Sequence, residues 1–269
     1  MQEKIQIINE LLGKYQKFAI TFSGGIDSSL LLYLAVKMYP ERTVAVTVNS
    51  ATLASEERQR IEDFVAKLKV AHTYINIDEL QNQAFVANDK NKCYYCKSKR
   101  IERLGEWAKQ NEVEIMFDGS NTDDLSDYRP GMRAMQEAKD MLASPFLHAK
   151  ISKAEIRQLA KEYGIEFWDL PSSACLASRI EYGLEITAAR LQQVDDAEKI
   201  LKQHFKGAVR LRHHGLLARI ELEPSEFSKL LASDLRQQIC KESKALGFTF
   251  VTMDLSGYQT GSMNNIIKE

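Results

Sequence analysis

The sequence has almost no net charge: 36 lysines and arginines face 37 aspartates and glutamates, for a balance of −1. A chain without a basic excess lacks the electrostatic footprint of a nucleic-acid binder, so a nucleic-acid partner is not expected. No apolar run approaches transmembrane length. The first residues, MQEKIQIINELLGKYQKF, mix charge into their apolar positions and hold no signal-peptide core. The expectation is a cytoplasmic protein with no membrane partner. Cysteine is scarce, at four residues. In a reducing compartment so few are ligands, nucleophiles or core residues rather than disulfides. No G-x-x-x-x-G-K-[ST] occurs, which excludes the phosphate loop of the kinases. The five histidines show no H-x-x-x-H or similar metal spacing, and there is no internal repeat or low-complexity tract.

What remains is an ordinary globular composition, 44% apolar and 27% charged, over 269 residues, enough for one large core or two domains. The first half alternates strand and helix signals. Strands are expected over 18–22, 43–48, 72–77 and 113–117, with helices between them over 30–37, over 61–68 and from about Cys93. That order implies an α/β fold, with a parallel sheet, helices on both faces and ligands beyond the carboxyl ends of the strands. After about residue 185 the order changes. A helix over 187–204, two strands (VRLRHH and LLARIEL) joined by a hairpin, a helix over 230–246 and a last strand over 248–253 read as a smaller α+β unit. The expected division is residues 1–184 and 185–269.

Ser23-Gly24-Gly25-Ile26-Asp27-Ser28, followed by Ser29, lies between the first strand and its helix. Two glycines let backbone N–H groups approach a phosphate, and the helix start adds its positive dipole end. Asp27 beside a bare phosphate would repel it; a bridging Mg²⁺ ion makes sense of the acid. The loop resembles the PP-loop of the ATP pyrophosphatases, the family of GMP synthetase, NAD synthetase and several tRNA thiolases. The resemblance implies ATP as cofactor, an adenine pocket near Val48, Asn49 and Ser50, and AMP and pyrophosphate as products.

Cys93-Tyr94-Tyr95-Cys96 opens a helix, a spacing that suits a zinc or iron–sulfur half-site and also a redox pair. Cys175 stands in Ala174-Cys175-Leu176-Ala177-Ser178-Arg179 and would make a third thiolate; Cys240 reads as a core residue. The fourth strand runs into Asp118-Gly119-Ser120-Asn121-Thr122-Asp123-Asp124-Leu125-Ser126-Asp127-Tyr128-Arg129-Pro130-Gly131, which puts Gly119 and Arg129 at the sheet edge beside the phosphates. Arg210 and Arg212, two apart on a strand, share one face, and paired guanidiniums suit a phosphate.

Together, SGGIDS, DG…DYRPG, ACLASR, VRLRHH…ARIEL and GFTFVTMDLSGYQTGSMN resemble the LarE family along almost the whole chain. These are the ATP-dependent sulfur transferases that build the nickel-pincer nucleotide of lactate racemase. The resemblance implies a small-molecule partner, a pyridinium biscarboxylate mononucleotide, whose carboxylates are adenylated and become thiocarboxylates. It further implies catalytic roles for Asp27, Cys175, Ser178 and Arg179, binding of the substrate phosphate by Arg210 and Arg212, and a homo-oligomer. Members with a single active-site cysteine, at the position of Cys175, give up its sulfur and leave dehydroalanine. The added Cys93 and Cys96 resemble the cluster-bearing branch, in which three cysteines hold a [4Fe–4S] cluster and external sulfide or another sulfur donor supplies the sulfur. A tRNA thiolase is the alternative enzyme, and a non-catalytic nucleotide-binding module the alternative class.

Overall fold

Short runs with β-branched and aromatic residues form four of the five strands of a parallel sheet. Its members are β1 (Phe18–Thr21), β2 (Thr43–Asn49), β3 (Ala71–Asn76), β4 (Ile115–Phe117) and β5 (Leu142–Ala143), in the order β3-β2-β1-β4-β5. All four pairings are parallel. The computed structural model describes residues 1–126, 134, 138, 140–171, 174–259 and 261–267. Among the described residues no helix is long and apolar enough to cross a membrane. β1 is central, and Phe18, Ala19 and Ile20 are fully buried, as a strand covered on both faces must be. Four of the strands follow the sequence expectation. β5, at two residues, is too short for an apolar pattern to announce it.

Around this sheet run α1 (Gln2–Leu12), α2 (Ile26–Met38), α3 (Ser55–Leu68), α4 (Lys92–Gln110) and α5 (Lys153–Glu162). Leu30, Leu31, Leu32 and Ala35 of α2 are all fully buried, because the helix lies between the sheet and its neighbours α1, α3 and α5. A capping box begins α5: Ser152 Oγ accepts from the Glu155 N–H and Glu155 returns the contact to the Ser152 N–H at 2.8 Å.

Contacts divide the chain into two compact units that are interleaved in sequence. The first holds 1–50, 55–77 and 93–172, the second 51–54, 78–92 and 173–269. Residues 173–184, grouped with the first domain on sequence grounds, thus fall in the second unit. Asn88 is one reason. Fully buried, its Nδ2 donates to the carbonyls of Glu181 at 2.7 Å and Leu184 at 2.8 Å, while its own carbonyl accepts from Gly183 N.

Within the second unit, α6 (Ala188–His204) is capped by the Thr187 hydroxyl. A hairpin follows, β6 (Arg210–His214) antiparallel to β7 (Leu217–Glu221), and β8 (Phe250–Met253) then pairs parallel with β7. The single helix expected over 230–246 is broken at Ala232, whose extended ψ of 134° ends a first turn over Phe227–Leu231 before α7 (Ser233–Ala245). Cys240 lies on α7, half-buried.

Candidate active site

The loop after β1 owes its shape to its own small residues. Phe22 N extends the strand pairing to Val46 O at 2.8 Å, and Gly24 then turns the chain with φ +72°. Arg60 of α3 holds that turn from outside, its Nε donating to Gly24 O at 2.8 Å. Ser28 and Ser29 both donate hydroxyl bonds to Gly25 O, at 3.0 and 2.9 Å, and Ser28 Oγ accepts from Ser23 N at 3.2 Å. Ser23, Gly24, Gly25, Asp27, Ser28 and Ser29 therefore form one closed loop at the N-terminus of α2, the partial positive end of the helix.

The parallel sheet brings the β4 loop to the same place. A Cβ on Gly119 would stand 2.8 Å from Ser28 N and 2.9 Å from the Asp27 carbonyl carbon, so only glycine lets the two loops meet. Asp118, just before it, accepts from Ser120 N, Ser120 Oγ and Ser144 Oγ. Asn49 and Ser50, at the carboxyl end of β2, already carry partners. Asn49 Nδ2 donates to Asn76 at 2.6 Å, Arg58 donates to Asn49 Oδ1, and Arg100 donates to Ser50 Oγ at 3.2 Å. Arg129 and its neighbours 127–131 lie outside the described residues.

The sequence reading missed Lys153. Its ammonium spans both oxygens of Asp27, at 2.7 and 2.5 Å. Burial pushes the Asp27 carboxyl above its ordinary value; Lys153 opposes this and Asp124 adds to the rise. No motif links residues 27 and 153; the one local signal is the S-x-x-E capping box that places Lys153 at a helix start.

In the second unit Cys175 precedes a 3₁₀ turn, Leu176–Arg179, and is half-buried. Arg179 is 2% exposed. Its Nη1 donates to the carbonyls of Ala174 and Cys175 and to Ser178 Oγ, while Nε and Nη2 meet the two oxygens of Glu198 at 3.0 and 3.3 Å. The resemblance implies a catalytic role for Arg179; here the side chain braces the Cys175 turn. Glu198, on α6, was missed. Burial alone would raise its carboxyl, but Arg179, with Arg210 and Lys202, reverses this and holds it below the ordinary value. Leu211 N also donates to Glu198 at 3.2 Å, tying the turn to β6.

Arg210 and Arg212 are buried on β6. Both Nε and Nη2 of Arg212 donate to Oε2 of Glu221, at 2.9 and 2.7 Å. Arg210 Nη1 donates to Val209 O at 2.7 Å. His213, next on β6 after Arg212, is held down to about 4 by burial, with Arg190 and His214 adding to the fall.

No cysteine is in a disulfide. Cys93 and Cys96 sit one turn apart on α4, Cys93 exposed and Cys96 half-buried, in the first unit, whereas Cys175 belongs to the second. Among the described residues no group of three or more histidines, cysteines, aspartates and glutamates is placed to hold a metal ion.

The asparagine synthase family profile matches residues 9–88, which span the loop and the strands beside it. An uncharacterized protein of Synechocystis is 34% identical over 267 residues, 99% of each chain. The pyridinium-3,5-bisthiocarboxylic acid mononucleotide synthase of Lactiplantibacillus plantarum is 32% identical over 253 residues, covering 94% of this chain and 90% of the relative. A third relative, from Methanocaldococcus jannaschii, is 30% identical over 97% of this chain. With the phosphate loop, the parallel sheet and near full-length similarity to that synthase in agreement, the chain belongs to the LarE family of PP-loop ATP pyrophosphatases.

Proposed function

We propose that this protein is an ATP-dependent sulfurtransferase acting on pyridinium-3,5-biscarboxylic acid mononucleotide. The carrying observation is the closed loop of residues 23–29 at the start of α2, with Asp27 and Lys153 facing one another. Backbone N–H groups and serine hydroxyls of this loop receive the ATP phosphates. Asp27 is the residue that would hold Mg²⁺, which when bound neutralises phosphate charge; Lys153 then exchanges the carboxylate for the phosphates. Asn49 and Ser50 border the adenine.

A carboxylate is a poor electrophile, because its charge repels nucleophiles and oxide leaves badly. In the first step a carboxylate oxygen of the substrate attacks the α-phosphorus and pyrophosphate departs, its charge stabilised by the loop. Sulfur then attacks the acyl carbon, AMP departs, and a thiocarboxylate remains. Arg210 and Arg212 hold the substrate phosphate, and Arg179 with Ser178 keeps the Cys175 turn rigid.

For the sulfur source, the three thiols have the donor chemistry of an iron–sulfur cluster, and the one-turn spacing of Cys93 and Cys96 is that of a C-x-x-C half-site. Cys93, Cys96 and Cys175 would hold a [4Fe–4S] cluster, which when bound supplies a metal-held sulfide already deprotonated. Incubation with the biscarboxylate nucleotide, ATP, Mg²⁺ and sulfide tests the proposal. AMP, pyrophosphate and several thiocarboxylates per chain, with Cys175 intact by mass spectrometry, are expected. ADP and phosphate as products would refute the pyrophosphatase chemistry. A yield of one sulfur per chain, with Cys175 lighter by hydrogen sulfide, would replace the cluster by sacrificial donation from Cys175.

A further inference from the structure

Behind β6 and β7 the chain returns on itself. After β8, Asp254 accepts from Ser256 N at 2.9 Å and from Gly257 N, through its carbonyl, at 3.1 Å. Gly257 has φ +71°, and a Cβ there would lie 2.9 Å from Leu222 O. This turn docks Tyr258 N on Leu222 O at 2.9 Å, at the end of β7. The ring of Tyr258 then faces the Arg210 guanidinium at 5.5 Å. Four residues on, Ser262 Oγ donates to Glu221 Oε1 at 2.8 Å, where Arg219 Nη2 also approaches at 3.4 Å. Met263 Sδ contacts Arg219 at 3.4 Å, and Asn264 accepts from the Tyr182 hydroxyl at 3.0 Å.

We propose that this C-terminal turn completes the phosphate-recognition site, with Tyr258 and Ser262 as positioning residues for Arg210 and Arg212. The inference rests on the reading of those two arginines as the holders of the substrate phosphate. Glu221 is fully buried and must divide its two oxygens. Ser262 and Arg219 take Oε1, which commits Oε2 to Arg212. With Nε and Nη2 of Arg212 both on that oxygen, its Nη1 has no partner among the described residues and remains available to an anion. Tyr258 acts on the other arginine. A guanidinium over an aromatic face is held in its plane by the ring quadrupole. That attraction joins Glu198 in steadying a cation that burial disfavours and that Arg179 and Arg212 repel. Two fixed guanidiniums present a geometry that suits a phosphate better than two mobile ones.

The test measures dissociation constants by calorimetry for three ligands: the biscarboxylate mononucleotide, its dephosphorylated nucleoside and ATP. Tyr258→Leu and Ser262→Ala are each expected to weaken the mononucleotide about tenfold, the loss of one contact to a charged group. Nucleoside and ATP binding stay unchanged, and Tyr258→Phe, which keeps the ring, restores mononucleotide affinity. Gly257→Ala, which displaces the turn from Leu222, should reproduce the Tyr258→Leu result. Equal losses for nucleotide and nucleoside, or no loss for the nucleotide, overturn the inference. Arg212→Lys separates the two failures. If it weakens the mononucleotide while the turn variants do not, the turn has no part in the site and the phosphate reading survives. If it too changes nothing, the phosphate reading falls, and the turn's role with it.

Discussion

Two ion pairs stand near the two halves of the proposed chemistry, and they differ in kind. Asp27 and Lys153, beside the phosphate loop, are 28% and 20% exposed. Arg179 and Glu198, behind Cys175, are 2% and 3% exposed. Water can take over either member of the first pair, so its partners are exchangeable when a metal and phosphates arrive. The second pair is desolvated, and separating it would strand a charge in the interior. An exchangeable pair suits a site that must bind and release; a buried one suits a turn that must not move.

The largest expected effect tests the buried pair. Glu198→Ala should cost about 3–5 kcal/mol of stability, because it leaves Arg179 buried without its carboxylate; urea unfolding measures it. Iodoacetamide should also alkylate Cys175 faster, since the clamp on its turn is gone. A loss under about 1 kcal/mol would make the pair no different from a surface one.

Asp27→Asn tests the other side. Stability should change by no more than about 1 kcal/mol, while AMP formation falls on the order of 100- to 1000-fold, the usual consequence of losing a transition-state charge contact. Lys153→Met should follow the same pattern with a smaller loss. An unfolded Asp27→Asn protein would make the pair a structural one.

The contact between the β4 loop and α2 comes next. Gly119→Ala should cost about 1–3 kcal/mol and weaken ATP, because its methyl meets backbone at Ser28 rather than a flexible side chain. Calorimetry with ATP reads both through stability and affinity.

Smallest is the pair that ties α1 to the start of α5, Lys4 Nζ to Glu155 at 2.6 Å. The hydrogen bond from Lys4, with that from Ser152 N, lowers the Glu155 carboxyl from 4.5 to about 2. A depressed folded value means stability that is present above the unfolded value and lost as pH falls toward 2. Lys4→Ala should therefore cost at most about 1 kcal/mol at pH 7, given the exposure of both groups. Its difference from the parent should shrink between about pH 5 and pH 2. A constant difference over that range would remove the ionic contribution.

Much of this was legible in the residues. The loop after β1 is contiguous, so Ser23, Gly24, Gly25, Asp27, Ser28 and Ser29 could be read together, and short runs with β-branched and aromatic residues announced four of the parallel strands. Lys153 and Glu198 could not be found that way. Each meets its partner from a different element, 126 and 19 residues along the chain, and a lone lysine or glutamate on a helix carries no pattern. The division into units was hidden for a related reason: residues 78–92 join 180–186 through backbone acceptors that any residue supplies.

By itself, then, the sequence determined what depends on neighbours along the chain: the alternation of strand and helix, the small-residue loop at a helix start, and the thiols one turn apart. The tertiary structure decided the charge partners. Whether an arginine binds a substrate or clamps a turn depends on which carboxylate reaches it and how much water remains. Arg179, buried against Glu198, became a clamp for that reason, and Asp27, still reached by water, kept an exchangeable partner.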